Sequence, residues 1–146
     1  MSNKTILLVE DNPDDEELTL LAFQQNKICN AITVARDGAE ALDLLFGPDD
    51  KGGSISPTLV LLDLNLPKVS GLDVLRRIRG DARTKLLPVV VLTSSQEEQD
   101  LIDGYSLGCN SYVRKPVNFA EFLETVRQLG LYWLLLNKTP ELPAAR

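Results

Sequence analysis

Leu59-Val60-Leu61-Leu62-Asp63 is a run of aliphatic residues closed by a carboxylate, with Pro57-Thr58 before it and Leu64-Asn65-Leu66-Pro67 after it. Short runs of this kind, rich in branched side chains and bounded by turn formers, read as strands buried on both faces. The pattern recurs along the chain. Strands are expected at Thr5–Val9, Ala31–Ala35, about Thr58–Leu62, Pro88–Leu92 and about Ser111–Val113. The first ends on Glu10-Asp11, the third on Asp63, the fourth on Thr93, and the last runs through Arg114 to Lys115. Polar residues at the carboxyl ends of parallel strands collect in one crevice, where ligands bind. Three carboxylates, a hydroxyl and a lysine in that crevice suit a divalent cation and a phosphoryl group.

Helical signals separate the strands. Asn12-Pro13 supplies an N-cap and a proline at the first helical position, and Leu18, Leu21 and Ala22 follow at helical spacing. A second helix spans about Asp37 to Phe46 and carries Ala41, Leu42 and Leu45 inward. A third, Gly71 to Arg79, places Leu72, Leu75 and Ile78 on one stripe, and a fourth lies near Gln96–Leu107. The last starts at Asn118 and can reach Leu136. Gly47–Pro57 is polar and glycine-rich, and is expected to be a mobile loop. This alternation predicts an α/β fold of (βα)5 type: a doubly wound, mainly parallel sheet with right-handed crossovers and helices on both faces.

The bulk composition narrows the function. The chain has 146 residues, enough for one domain with a real core, and its 44% apolar and 25% charged residues are ordinary for a globular protein. A net charge of −6 argues against a nucleic-acid or anionic-membrane partner. Cys29 and Cys109 lack metal or redox spacing and are expected to be buried, reduced thiols of a cytoplasmic protein, since Met1-Ser2-Asn3-Lys4 opens no signal peptide. The apolar stretch Leu131–Leu136 is too short to span a membrane.

Each polar residue also has a plainer reading. The acidic run Asp14–Glu17 complements the dipole of the helix it opens, although it could hold a metal. Asp63 alone could cap a loop, Lys115 could be a solvated lysine, and Thr93 could cap a turn. Glu10-Asp11 is different, because two carboxylates at a buried strand end repel each other unless a cation joins them. The joint appearance of these groups at four strand ends favours one shared site.

The segments Val9-Glu10-Asp11-Asn12, Leu61-Leu62-Asp63-Leu64-Asn65-Leu66-Pro67, Leu92-Thr93-Ser94 and Tyr112-Val113-Arg114-Lys115-Pro116 together resemble response-regulator receiver domains over about residues 4–136. VEDNPDDEELTL, VARDGAEAL, LPKVSGLDVLRRIR, LPVVVLTSS and GLYWLLLN are further similar to the stand-alone regulators of cyanobacterial phytochromes. The resemblance implies a flavodoxin-like strand order 2-1-3-4-5. It implies Asp63 as the phospho-acceptor, and Mg²⁺ bound by Asp11, Asp63 and the Asn65 carbonyl, with Glu10 reaching the ion through water. Thr93 and Lys115 would bind the phosphoryl group, and Thr93 with Tyr112 would form the switch. Withdrawal of Thr93 would open space for the Tyr112 ring. The Lys115–Pro116 bond would be cis. Glu10 departs modestly from the family, where aspartate is common.

The implied protein is no enzyme beyond assisting its own phosphotransfer and slow autodephosphorylation, and its partner is a sensor histidine kinase. An intermediate phosphorelay or adaptor receiver is an alternative within the class. Outside it, an Mg-dependent aspartyl phosphatase needs a second carboxylate two residues after the nucleophile, where this chain has Asn65. A flavodoxin-type carrier needs a phosphate-cradling loop after the first strand, where Glu10 and Asp11 would repel phosphate.

The receiver is expected over residues 1–137, with 138–146 a flexible tail and no output module after it. Signal would then leave by contact with an unknown downstream protein or a second copy. Phe119, Phe122, Leu123, Val126 and Trp133 keep helical spacing for the sheet. Leu131, Tyr132, Leu134 and Leu135 lie off that stripe, and either fold back on the domain or form a homodimer contact.

Overall fold

The computed structural model describes residues 4–140. Its elements alternate from end to end: β1 (Ile6–Val9), α1 (Pro13–Gln25), β2 (Ile32–Ala35), α2 (Gly38–Phe46), β3 (Leu59–Leu62), α3 (Gly71–Arg79), β4 (Val89–Thr93), α4 (Glu98–Ser106), β5 (Ser111–Arg114) and α5 (Phe119–Gly130). A π-helical segment, Leu131–Leu136, continues α5. The strands pair in parallel in the order β2-β1-β3-β4-β5. The expected (βα)5 fold and strand order are the observed ones.

Strands β1, β3 and β4 are buried along their whole length, as their aliphatic sequences require of central strands. One side of the sheet packs against α2 and α3 through Ala41, Leu45, Val74, Leu75 and Ile78. The other packs against α1 and α5 through Ala22, Phe23, Phe122 and Val126. Side-chain caps fix where four helices begin. Asn12 accepts from the Asp14 and Asp15 amides, Asp37 from Glu40, Ser70 from Asp73 and Asn118 from Glu121.

Several expectations need correction. In α1 the buried residues are Thr19, Ala22 and Phe23, whereas Leu18 and Leu21 are exposed. Thr19 can be buried because its hydroxyl donates to the Asp15 carbonyl at 2.7 Å, leaving no polar group unpaired. Cys109 is buried as expected, but Cys29 is exposed in the α1–β2 connection, outside either core. The 47–57 loop is fastened: Arg77 and Arg83 both reach the Asp50 carboxylate, at 2.6 and 2.8 Å. No peptide bond among the described residues is cis, so Lys115–Pro116 is trans. The intrinsic gap between the isomers of a prolyl bond is below about 1 kcal/mol, and the trans chain brings Lys115 into the crevice.

The π-helical end divides the residues assigned to a dimer. Leu134 is 5% exposed and joins the α1–α5 core with Trp133, so it folds back on its own domain. The wider turn and the Lys4 ammonium, which donates to the Leu134 carbonyl at 2.7 Å, set that phase. Leu131, Tyr132 and Leu135 remain exposed. Residues 138–140 have no regular secondary structure, and the rest of the expected tail, 141–146, lies outside the described residues, as does Met1-Ser2-Asn3. No helix among the described residues is long and apolar enough to cross a membrane.

Candidate functional site

The carboxyl edges of β1, β3, β4 and β5 bring the strand-end residues together. Asp63 follows β3 directly and is 6% exposed. Its amide donates to the Val9 carbonyl at 3.1 Å, which locks it beside β1. Gly71 lets α3 start against it, since a Cβ there would stand 2.2 Å from the Asp63 carbonyl oxygen. Thr93 closes β4, fully buried, and donates from Oγ1 to Asp63 Oδ1 at 2.7 Å. The Asn65 amide donates to the same oxygen at 3.2 Å. The other oxygen, Oδ2, accepts from Lys115 Nζ at 3.1 Å.

Lys115 has two further partners. Its ammonium donates to Glu10 Oε1 at 2.5 Å and to Asp15 Oδ2 at 3.0 Å, so each of its three protons meets a carboxylate. Burial pulls the ammonium's pKa down, but Glu10, Asp63 and Asp15 outweigh it and the net shift is upward. Glu10 is 2% exposed, and burial pushes its carboxyl up to about 7 against the pull of Lys115. The two shifts agree physically. Three carboxylates around one ammonium leave excess negative charge, which raises the proton affinity of acid and base alike.

Glu10, exposed Asp11 and Asp63 each present a carboxylate oxygen within 4.8 Å of the others. Clustered hard oxygens with uncompensated charge fit a small divalent cation such as Mg²⁺ or Mn²⁺.

Of the strand-end groups expected from the sequence, Glu10, Asp63, Thr93 and Lys115 are joined by hydrogen bonds, and Asp11 stands beside them. Asp15 is the residue that sequence reasoning missed as part of the site. It belongs to the acidic run assigned to the helix dipole, and its position one helical turn past the Asn12 cap is the only sequence signal for it.

The profile of the response regulator receiver domain matches residues 6–127. The chain belongs to this family. Among curated proteins it is 44% identical to the probable methanogenesis regulatory protein FilR2 of Methanothrix harundinacea, over 92% of this chain and 86% of that protein. It is 39% identical to the response regulator Rcp1 of Synechocystis, over 97% of this chain and 95% of Rcp1. The crystal structure of the phosphorylated cyanobacterial phytochrome response regulator RcpA superimposes with a TM-score of 0.87 at 36% identity, covering 96% of this chain and all of that one. Rcp1 has been solved in a Mn²⁺-bound form, with a TM-score of 0.85 at 36% identity over 94% of this chain and 99% of that one. The receiver is therefore similar to the stand-alone phytochrome response regulators of cyanobacteria.

The residue on β5 that the resemblance pairs with Thr93 is Tyr112. The Tyr112 ring lies inside, close against α4, where a Cβ on Gly104 would stand 3.2 Å from ring carbon Cδ2. Among the described residues, its hydroxyl is the one buried side-chain polar atom without a hydrogen-bond partner. Burial raises its pKa, and the neighbouring Ser95 hydroxyl donates its own proton to Asp100 at 2.6 Å. Thr93 faces Asp63, while the Tyr112 ring lies by Gly104 of α4.

Proposed function

We propose that this receiver takes a phosphoryl group onto Asp63 from a phytochrome-type sensor histidine kinase in the cytoplasm and passes the signal on through a homodimer contact. The observation that carries this reading is the engagement of both Asp63 oxygens, one by the Thr93 hydroxyl and one by the Lys115 ammonium. A carboxylate held by two donors is fixed in place as a nucleophile, and those donors stand beside the oxygen that would carry the phosphoryl group. An Asp63 oxygen attacks phosphorus, the bond to the donor imidazole breaks, and the imidazole leaves with the electron pair. Thr93 and Lys115 then turn their protons to the phosphoryl oxygens. Mg²⁺ held by Asp11, Asp63 and the Asn65 carbonyl, with Glu10 beside it, would neutralise charge on the phosphoryl oxygens. Asn65 in place of a second carboxylate leaves no proton carrier for an attacking water, which favours a switch over a phosphatase.

Thr93 ends β4 and Lys115 follows β5, so their movement changes the strand that carries Tyr112. Leu131, Tyr132 and Leu135 expose an apolar surface after α5 and form the proposed dimer contact, without Leu134. A differential contact of about 1–3 kcal/mol shifts the dimer constant roughly 5- to 150-fold. The test uses the purified chain, Mg²⁺ and an autophosphorylated phytochrome-type kinase, with sedimentation before and after transfer. Acid-labile phosphate is expected on Asp63, together with a tighter dimer. Labelling of Asp63→Asn at the wild-type rate sinks the acceptor assignment, and a monomer in both states sinks the dimer.

A further inference from the structure

The site holds one more charge than receiving and binding a phosphoryl group require. Asp15 sits in the first turn of α1, its amide donating to the Asn12 side chain at 3.1 Å and its carbonyl accepting from Thr19 at 2.7 Å. That frame directs its carboxylate to Lys115 Nζ, 3.0 Å away. The Asp15 side chain is 34% exposed, against 2% for Glu10 and 7% for Asp63, so among the partners of Lys115 it is the one facing solvent. It also borders a small cavity with Leu18, Lys115, Pro116 and Val117. Asp15 stands outside the group of oxygens able to share a cation. A metal ion at that group therefore draws on Glu10 and Asp63 and leaves Asp15 as the remaining full charge on the ammonium.

We propose that Asp15 is a specificity-determining residue, an electrostatic brake that slows uptake of phosphate from small free anionic donors. Two effects act in the same direction. Its charge on the solvent side of Lys115 repels an approaching dianion, and its hold on one proton of Lys115 withholds that proton from the incoming phosphoryl oxygens. In the reaction with acetyl phosphate, an Asp63 oxygen bonds to phosphorus, the bond from phosphorus to the acetate oxygen breaks, and acetate leaves with the electron pair. No proton or co-reactant is needed beyond the donor. The inference rests on Asp63 being the acceptor.

The experiment measures the initial rate of phosphorylation by acetyl phosphate with saturating Mg²⁺ for the wild type, Asp15→Asn and Asp15→Glu, at low and high ionic strength. Asp15→Asn is expected to react roughly 3- to 10-fold faster at low salt. The gap should shrink at high salt, where exposed charges are screened. Asp15→Glu restores the charge and should return the rate toward wild type. A residue that merely held α1 in place would give slower uptake, so the direction separates the two roles. Equal or slower reaction of Asp15→Asn overturns the brake. If the wild type takes no phosphate on Asp63, the acceptor reading fails and the brake with it; labelling with equal rates overturns the brake alone.

Discussion

At the amino edge of the sheet Arg77 and Arg83 face Asp50 and Asp81, while at the carboxyl edge Lys115 faces Glu10, Asp15 and Asp63. The first cluster has as many cations as carboxylates. It lies over the Phe46 ring, with the guanidinium carbons 3.9 and 5.1 Å from the ring centroid, and it joins the 47–57 loop to α3. There Arg83, with Arg77, holds the Asp81 carboxyl well below the usual carboxylate range. The second cluster has one cation for three carboxylates, and Asp11 adds a fourth nearby. There burial sends Glu10 the other way, up to about 7. The same functional groups thus give opposite proton affinities. A balanced cluster at the surface fastens a loop, whereas an unbalanced buried one is held ready for added positive charge.

The largest expected effect comes from removing the one cation of the unbalanced cluster. Lys115→Ala leaves Glu10 and Asp63 buried without compensation and should cost on the order of 3–5 kcal/mol of unfolding free energy in chelator. Added Mg²⁺ should recover part of the loss, because a cation at the same carboxylates supplies the missing charge. Urea titrations with chelator and with Mg²⁺ measure both. If Lys115→Ala costs no more than a change in the surface cluster, the contrast between the two edges collapses.

Glu10 supplies the next effect, and its sign is fixed by the direction of its shift. Its folded pKa lies above the ordinary 4.5, at about 7, so over that interval the folded chain holds a proton that the unfolded chain has lost. Its contribution to stability is complete below 4.5 and is lost as pH rises through about 7. The decline is on the order of 3 kcal/mol. The sequence contains no histidine to confuse the titration. Glu10→Gln keeps the shape, removes the charge and should flatten the profile between about pH 5 and pH 8. An unchanged slope in that variant would show that another group titrates there.

Most of this site was legible because parallel strands deliver their last residues to one edge. Asp63 and Thr93 each close a run of buried aliphatic residues, and counting to the end of the run finds them; Lys115 follows the half-buried strand Ser111–Arg114. Asp15 was not legible, because every acid in Asp14–Glu17 suits the helix dipole equally well. Which of them meets Lys115 depends on the helix phase and on where β5 lies, and spacing encodes neither. In α1, likewise, spacing pointed to Leu18 and Leu21, but the tertiary frame buried Thr19 and Phe23. The Leu131–Leu136 segment is apolar on every side, so periodicity gives it no phase and could not separate buried Leu134 from exposed Leu135. The surface cluster joins residues 27 and 33 positions apart in the chain, beyond the reach of any local pattern.

The smallest effect belongs to that surface cluster, and its sign is opposite to that of Glu10. Arg83 and then Arg77 lower the Asp81 carboxyl, so its contribution is present above the ordinary 3.8 and is lost as pH falls below it. Asp81→Asn removes the charge from a side chain 14% exposed and leaves Asp50 to serve both arginines. Half-buried pairs at the rim of the molecule, with a second carboxylate left to take over, contribute about 1 kcal/mol, so a change of that size is expected at neutral pH. It should diminish at high salt and vanish in acid. Because the cluster pins the 47–57 loop rather than the crevice, phosphorylation of Asp63 should keep its wild-type rate in this variant. Amide hydrogen exchange should quicken in the loop and leave β3 and β4 protected. A loss of several kcal/mol, or slowed phosphorylation, would mean that the two edges are coupled through α3, whose first turn touches Asp63 and whose last turn carries Arg77.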